Sequence, residues 1–123
     1  MTSYLVTGGC GFIGSHLVNG LLNDEADARV RVFDNFTSGT RQRLGAGASD
    51  PRVTIIEGDL KDSDAITGAL EGVEHVYHFA ANPDIAAAMA DPTVDFWEGT
   101  YLTQNLLEGI RIHGVGRLSY ASG

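Results

Sequence analysis

Three glycines separate a short apolar segment from an amphipathic one near the start of the chain, and this spacing constrains the fold most. Residues 4–7 are apolar and partly β-branched, which predicts a buried strand, and apolar positions recur at helical spacing over residues 12–22. Gly8, Gly11 and Gly14 lie between them. A chain that passes from a strand directly into a helix packed on it needs glycine where it turns sharply and where the two elements approach closely. The segment therefore predicts the first strand–turn–helix unit of an α/β domain.

Strand and helix patterns alternate along the rest of the chain. Predicted strands span residues 4–7, 30–33, 53–56, 75–79 and 118–121, predicted helices span 12–22, 62–70, 85–90 and 94–113, and the longest loop spans 35–51 with a helical turn near 41–44. Such alternation indicates a parallel sheet with helices on both faces, and right-handed crossovers make it doubly wound. We therefore predict one Rossmann-type α/β domain, an incomplete sheet of about five strands, over residues 1–123.

The glycine turn also has the composition of a phosphate-binding site. Free amides at the start of a helix attract anions, and glycine lets a backbone approach a pyrophosphate without a Cβ in between. Asp34 follows Gly14 by 20 residues, at the end of the second predicted strand, where it can accept hydrogen bonds from ribose hydroxyls and repel a 2′-phosphate. That position favours NAD over NADP, although Arg41 is near enough in sequence to compensate a 2′-phosphate. Two alternatives stay open: a turn that serves packing alone, and a solvated Asp34.

Charge and cysteine content exclude several other classes of function. Asp and Glu number 16 against 8 Lys and Arg, and the net charge of −8 repels nucleic acid and anionic membrane surfaces at long range. The single cysteine, Cys10, rules out an intramolecular disulfide and a cysteine metal cluster. The sequence shows no secretory leader and no apolar run of the roughly 20 residues that a membrane span requires. We expect a cytoplasmic protein without nucleic-acid, membrane or metal partners.

Five motifs occur in order along the chain and together resemble a known family. They are VTGGCGFIGSHL at 6–17, DNFTSG at 34–39, GDL at 58–60, HFAA at 78–81, and GT at 99–100 followed by NLLE at 105–108. The chain resembles the extended short-chain dehydrogenase/reductases and, within them, the NAD-dependent epimerase/dehydratase family that includes UDP-glucose 4-epimerase. The resemblance covers essentially the whole sequence.

The resemblance implies a role in NAD binding for the residues at matching positions. Residues of the turn would surround the pyrophosphate, namely Gly8, Gly11, Phe12, Ile13 and Gly14. Residues after the second and third strands would contact the adenosine, with Asp34 on its ribose, Asn35 and Ser38 near it, and Asp59 and Leu60 around the adenine. The segment after the fourth strand would pass beside the pyrophosphate and the nicotinamide-side ribose, through Phe79, Ala80 and Ala81.

The same resemblance implies the amino-terminal portion of a longer enzyme. The family's catalytic tyrosine occurs as Tyr-x-x-x-Lys, and no tyrosine within these 123 residues has a lysine four positions later. Ser122 lies in the segment that leads to the catalytic hydroxyl residue and is the candidate for it, while Phe96 stands where relatives often carry Asn. We expect an enzyme that acts on a nucleotide-sugar by transient hydride transfer to NAD, as a homo-oligomer.

Two other interpretations stay open. Without the Tyr/Lys pair the chain could be a non-catalytic dinucleotide-binding or redox-sensing module, because hydride chemistry needs a proton partner. A parallel sheet that stops at residue 123 would leave apolar surface uncovered, so that the chain would self-associate.

Four side chains that could be taken for functional groups are predicted to be structural. His75 and His78 are three positions apart on a strand, so they face opposite sides and cannot chelate one metal ion. Cys10 lies beside a helix N-terminus, which could depress its pKa, but a packing role is favoured because nothing supplies a base partner. Trp97 is predicted to pack a helix against its neighbour.

Overall fold

The carboxyl ends of parallel strands meet along one edge of the sheet. A computed structural model of the chain describes residues 2–80 and 85–121. Within that part, five parallel strands have the order β3-β2-β1-β4-β5. They are β1 Ser3–Thr7, β2 Arg29–Asp34, β3 Val53–Glu57, β4 His75–His78 and β5 Arg117–Tyr120. The register pairs Thr7 with Phe33 on one side and with His78 on the other. The predicted sheet is confirmed, and every strand end lies within one residue of its predicted position.

Helical segments connect the strands. They are α1 Phe12–Asp24, a 3₁₀ segment Arg41–Ser49, α2 Ser63–Ala69, α3 Ile85–Ala90, α4 Thr93–Asp95 and α5 Tyr101–His113. The 3₁₀ segment is longer than the predicted turn and breaks at Gly45, where φ is +56°. Leu44 holds this segment on the core, since its side chain is only 1% exposed. None of the helices in the described ranges is long and apolar enough to cross a membrane.

The segment between β4 and β5 departs from the prediction of one helix over residues 94–113. A π-helical turn, Phe96–Thr100, lies between α4 and α5. A π turn holds one more residue than an α turn, and hydrophobic periodicity does not reveal such an insertion. The predicted stop is confirmed, because Gly114 ends α5 in the left-handed conformation with φ of +66°.

Successive strand residues pack against helices on opposite faces of the sheet. The first core joins β1 and β2 to α1 and the 3₁₀ segment through Tyr4, Val6, Val18, Leu21, Leu22, Val30, Val32 and Leu44. The second joins the sheet to α2 and α5 through Leu5, Phe33, Ile66, Leu70, Val76, Leu102 and Leu106. The prediction of helices on both faces is therefore confirmed.

Candidate functional site

A cleft of about 700 Å³ lies at the carboxyl ends of the strands. Open α/β sheets bind ligands in this place, where the strand order reverses between β1 and β4. Every predicted cofactor-binding residue within the described ranges lines the cleft: Gly8, Gly11, Phe12, Ile13, Gly14, Asp34, Asn35, Ser38, Asp59, Leu60, Phe79 and Ala80. Ala81 and the catalytic candidate Ser122 lie outside the described residues.

The three glycines of the turn meet different physical requirements. Gly8 has φ of +68°, and a Cβ there would lie 3.1 Å from the Ala80 amide nitrogen. A Cβ on Gly14 would lie 2.2 Å from the Gly8 carbonyl oxygen, so this residue allows α1 to pack against the turn. A Cβ on Gly11 would meet only that same oxygen, at 3.2 Å. Packing explains two of the glycines, whereas Gly11 leaves the backbone open to the cleft.

The start of α1 presents backbone amides to the cleft. Gly11 occupies the N-cap position, no side chain of the described residues caps the helix there, and the first turn has no acidic residue. The first amides of a helix have no intrahelical partner and carry partial positive charge. Residues Phe12, Ile13 and Gly14 at this end line the cleft. The arrangement fits a phosphate group despite the chain's net negative charge, because amide donors act at contact distance.

Asp34 connects the glycine turn to the loop after β2. Its side chain is 7% exposed, so the alternative of a solvated residue is wrong. One carboxylate oxygen accepts from the Cys10 amide at 3.0 Å and the other from the Phe36 amide at 2.8 Å. A carboxylate has about four acceptor positions, so about two remain for hydroxyl donors in the cleft.

The loop after β2 places two arginines differently. Phe36 has a left-handed φ of +61°, which is strained for a residue with a side chain, and the Arg41 guanidinium lies 5.6 Å from the centre of its ring. Arg41 and Phe36 line a smaller cavity of about 410 Å³ beside the main cleft. Arg43, which the sequence analysis did not single out, lines the main cleft itself.

The loop after β3 is held by contacts that sequence spacing did not predict, one of which joins the GDL and NLLE motifs. One Asp59 carboxylate oxygen accepts from the Lys61 amide at 2.9 Å. The Leu60 carbonyl accepts from the Asn105 side chain at 2.8 Å. The Lys61 ammonium lies 2.6 Å from a carboxylate oxygen of Glu98, and this hydrogen bond raises the pKa of Lys61. Lys61 and Glu98 belong to the cleft wall, and their contact ties the π turn to this loop.

A buried histidine lies at the end of β4. His78 is 8% exposed, its Nδ1 lies 2.6 Å from Thr7 Oγ1, and its Nε2 lies 3.3 Å from Thr103 Oγ1. Burial lowers the pKa of His78 to about 4. The threonine that contacts His78 is Thr103, which lies outside the GT and NLLE motifs. The predicted ends of the first and fourth strands place Thr7 and His78 at the same edge of a parallel sheet, and this is the signal that could have revealed the Thr7–His78 contact.

Cys10 has the packing role that was favoured for it, since it is buried. Burial, followed by the charge of Asp34, raises the pKa of Cys10 to about 11, which is opposite to the depression that a helix N-terminus could cause. Trp97, predicted to pack a helix against its neighbour, is 51% exposed, and its ring contacts the rings of Phe96 and Tyr101 in the same continuous helical segment.

The histidines of β4 do not form a metal site. His75 Nε2 lies 3.0 Å from Ser119 Oγ, away from the Thr7 contact of His78. Over residues 2–80 and 85–121, no three His, Cys, Asp or Glu side chains are grouped so that they could hold a metal ion.

Comparison with known proteins gives matches over nearly the whole chain. UDP-glucose 4-epimerase of Corynebacterium glutamicum is 35% identical over 119 residues, which are 96% of this chain and 34% of that protein. 3 beta-hydroxysteroid dehydrogenase type 7 of Mus musculus is 37% identical over 97% of this chain and 32% of its own length. The crystal structure of DesIV, a dTDP-glucose 4,6-dehydratase from Streptomyces venezuelae with NAD and TYD bound, superposes with a TM-score of 0.87 at 37% identity, over 95% of this chain and 38% of that one.

The chain spans about a third of the length of these relatives. The sequence profile of the NAD dependent epimerase/dehydratase family matches residues 4–123. The match includes the glycine turn, Asp34, Asp59 and the end of β4. The chain belongs to the NAD dependent epimerase/dehydratase family.

Proposed function

We propose that the chain is the NAD-binding portion of a sugar-nucleotide epimerase or dehydratase. The observation that carries this proposal is the uncapped start of α1 beside Gly11, in a cleft of about 700 Å³ at the carboxyl ends of the strands. NAD in the DesIV structure supports the choice of cofactor. The epimerase and dehydratase relatives support the substrate class.

Each part of the cleft suits one part of the dinucleotide. The amides of Phe12 and Ile13 would bind the pyrophosphate, with Gly8 and Gly14 keeping the turn closed beneath it. The remaining acceptor positions of Asp34 would take the adenosine ribose hydroxyls, which favours NAD because a 2′-phosphate would meet a buried negative charge.

The remaining residues of the cleft would hold the two ends of the cofactor. Asp59 and Leu60 would lie around the adenine, with Asn35 and Ser38 near the ribose. Phe79, Ala80 and Ala81 would lie beside the nicotinamide-side ribose.

The chemistry of the proposed enzyme is reversible oxidation of a nucleotide-sugar. NAD supplies the hydride acceptor when it is bound. The residues of this chain bind and orient the dinucleotide, and Ser122 stays the candidate for the catalytic hydroxyl. The acid/base Tyr-x-x-x-Lys pair is proposed to lie outside these 123 residues, together with the substrate domain.

Titration calorimetry of the chain with NAD tests the cofactor proposal. Gly11→Ala adds a Cβ that meets one atom at 3.2 Å, so it leaves the turn folded but obstructs the approach of a pyrophosphate. Gly20→Ala is the matched control, because Gly20 lies within α1 and a Cβ there meets nothing within 4 Å. We expect Gly11→Ala to weaken NAD binding at least about tenfold, or about 1.4 kcal/mol, and Gly20→Ala to bind as the unmodified chain does. Equal affinity for all three proteins would contradict the proposal.

A turnover assay separates the proposed enzyme portion from a non-catalytic dinucleotide module. The chain alone is expected to bind NAD without epimerising UDP-sugars, because the proton partner is missing. Restored turnover on a chain extended with a Tyr-x-x-x-Lys segment supports the enzyme, and NAD binding without turnover in the full-length protein favours the non-catalytic module.

A further inference from the structure

The hydrogen bonds around His78 form one connected chain of donors and acceptors. The amides of Phe79 and Ala80 donate to Thr7 Oγ1 at 3.1 and 3.2 Å. Thr7 Oγ1 also contacts His78 Nδ1, and His78 Nε2 contacts Thr103 Oγ1. Thr103 Oγ1 in turn donates to the Gly99 carbonyl at 3.2 Å.

The direction of each bond follows from counting lone pairs. Thr7 Oγ1 accepts the Ala80 amide proton and shares the Phe79 amide proton with the Thr7 carbonyl, so its own hydroxyl proton is available to donate to His78 Nδ1. His78 Nδ1 is then an acceptor, and the ring proton lies on Nε2. Because the Thr103 hydroxyl donates to Gly99, its oxygen is available to accept from Nε2–H. A neutral His78 in the Nε2–H tautomer therefore gives every group in this chain of bonds a partner.

The two ends of this chain of bonds are parts of the cleft wall. At one end, Ala80 lies against Gly8, whose Cβ would be 3.1 Å from the Ala80 nitrogen. At the other end, Gly99 belongs to the π turn, and the neighbouring Glu98 lines the cleft and pairs with Lys61. His78, which links the two ends, is only 8% exposed.

We propose that Thr7, His78 and Thr103 are positioning residues that form a fixed-tautomer relay, which holds the Phe79–Ala80 segment and the π turn in the geometry that the dinucleotide requires. This role rests on the proposed NAD binding. Through these hydrogen bonds the position of α5 affects the loop after β4. A change at Thr103 therefore alters the hydrogen bond of the Ala80 amide, although Thr103 does not bond to Ala80 directly in the relay.

Thr103→Val tests the relay, because it removes the hydroxyl while preserving the β-branched shape. Thr103→Ser restores the hydroxyl, and Thr100→Val makes the same change at an exposed threonine one turn away. In the unmodified chain, ¹⁵N spectra of the histidine rings are expected to show His78 as a single neutral Nε2–H tautomer. Thr103→Val is expected to populate a second ring state, to speed hydrogen exchange of the Ala80 amide and to weaken NAD binding, the last two by about three- to tenfold. Thr103→Ser and Thr100→Val are expected to behave as the unmodified chain.

The ring spectra and the exchange rates test the relay in the absence of NAD. Failure of the relay is therefore distinguishable from failure of the proposed function. An unmodified chain with His78 protonated on Nδ1 overturns the relay, and so does a Thr103→Val variant with unchanged Ala80 exchange. If the spectra and exchange follow the expectation but Thr103→Val binds NAD as tightly as Thr103→Ser, the positioning role is overturned. If the unmodified chain does not bind NAD at all, the proposed function is overturned while the tautomer and exchange results still decide the relay.

Discussion

The two sides of the cleft are held by different kinds of contact. On the β2 side, the amides of Cys10 and Phe36 donate to the buried carboxylate of Asp34. On the β4 side, side chains of separate elements bond to one another, as His78 does with Thr7 and Thr103. The exposed Lys61–Glu98 ion pair joins the loop after β3 to the π turn. The β2 side is therefore held by backbone amides that converge on one carboxylate, whereas the β4 side is held by hydrogen bonds between side chains of separate elements.

Both sides rest on buried apolar side chains. Val32 and Leu44 behind the β2 side are 0% and 1% exposed, and Val76 and Leu106 behind the β4 side are both 0% exposed. The difference between the sides therefore lies in their polar contacts.

Substitution of Asp34 has the largest expected effect. Asp34→Ala leaves the buried Cys10 amide and the partly buried Phe36 amide without their acceptor, so we expect the free energy of unfolding to fall by about 3 kcal/mol, with loss of NAD binding. Asp27→Ala, in the exposed turn before β2, is the control and is expected to cost less than about 0.5 kcal/mol. Urea unfolding measures both. A loss below about 1 kcal/mol in Asp34→Ala would remove the contrast between the two sides.

A decrease in pH is expected to have the next largest effect on stability, through His78 on the β4 side. The pKa of His78 is lowered to about 4 in the fold from an ordinary value of 6.5, so the unfolded chain binds more protons between these values. The free energy of unfolding therefore has its full value with respect to His78 above pH 6.5. It falls by up to about 3 kcal/mol as the pH decreases towards 4.

Urea unfolding between pH 4 and 7 checks this dependence in the unmodified chain, His78→Gln and His75→Gln. The pKa of His75 is lowered too, mainly by burial, so His75→Gln is the necessary comparison. We expect His78→Gln to flatten the pH dependence and His75→Gln to keep most of it. The reverse pattern would contradict the assignment to His78.

Removal of the Lys61–Glu98 ion pair has the smallest expected effect. The two side chains are 39% and 36% exposed, so solvent and salt screen their attraction. Lys61→Met is expected to change the free energy of unfolding by at most about 0.5 kcal/mol, similar to Arg111→Met in the exposed pair with Glu108. Thermal unfolding at low and high salt measures this. A loss that exceeds that of His78→Gln would mean that the ion pair between the loop after β3 and the π turn stabilises the cleft more than the His78 hydrogen bonds do.

The difference between the two sides also explains what the sequence could predict. The strand and helix pattern, the glycine turn and the position of Asp34 each depend on residues close together in sequence, so local periodicity and spacing are sufficient. The bonds of Asp34 to backbone amides could not be predicted, because they require the three-dimensional path of the loop after β2.

The β4 side was predicted less well for the same reason. The contact of His78 with Thr103 joins β4 to α5, and sequence periodicity does not show how two separate elements pack. Trp97 is a large apolar residue of the kind usually found in cores, yet it is 51% exposed. Helical periodicity treats residues 94–113 as one regular helix and does not indicate the π turn.

A crystal structure of the chain with NAD tests the central claim most directly. The account predicts pyrophosphate oxygens about 3 Å from the Phe12 and Ile13 amides and adenosine ribose hydroxyls on the Asp34 carboxylate. NAD bound elsewhere, or with its pyrophosphate away from the start of α1, would contradict it.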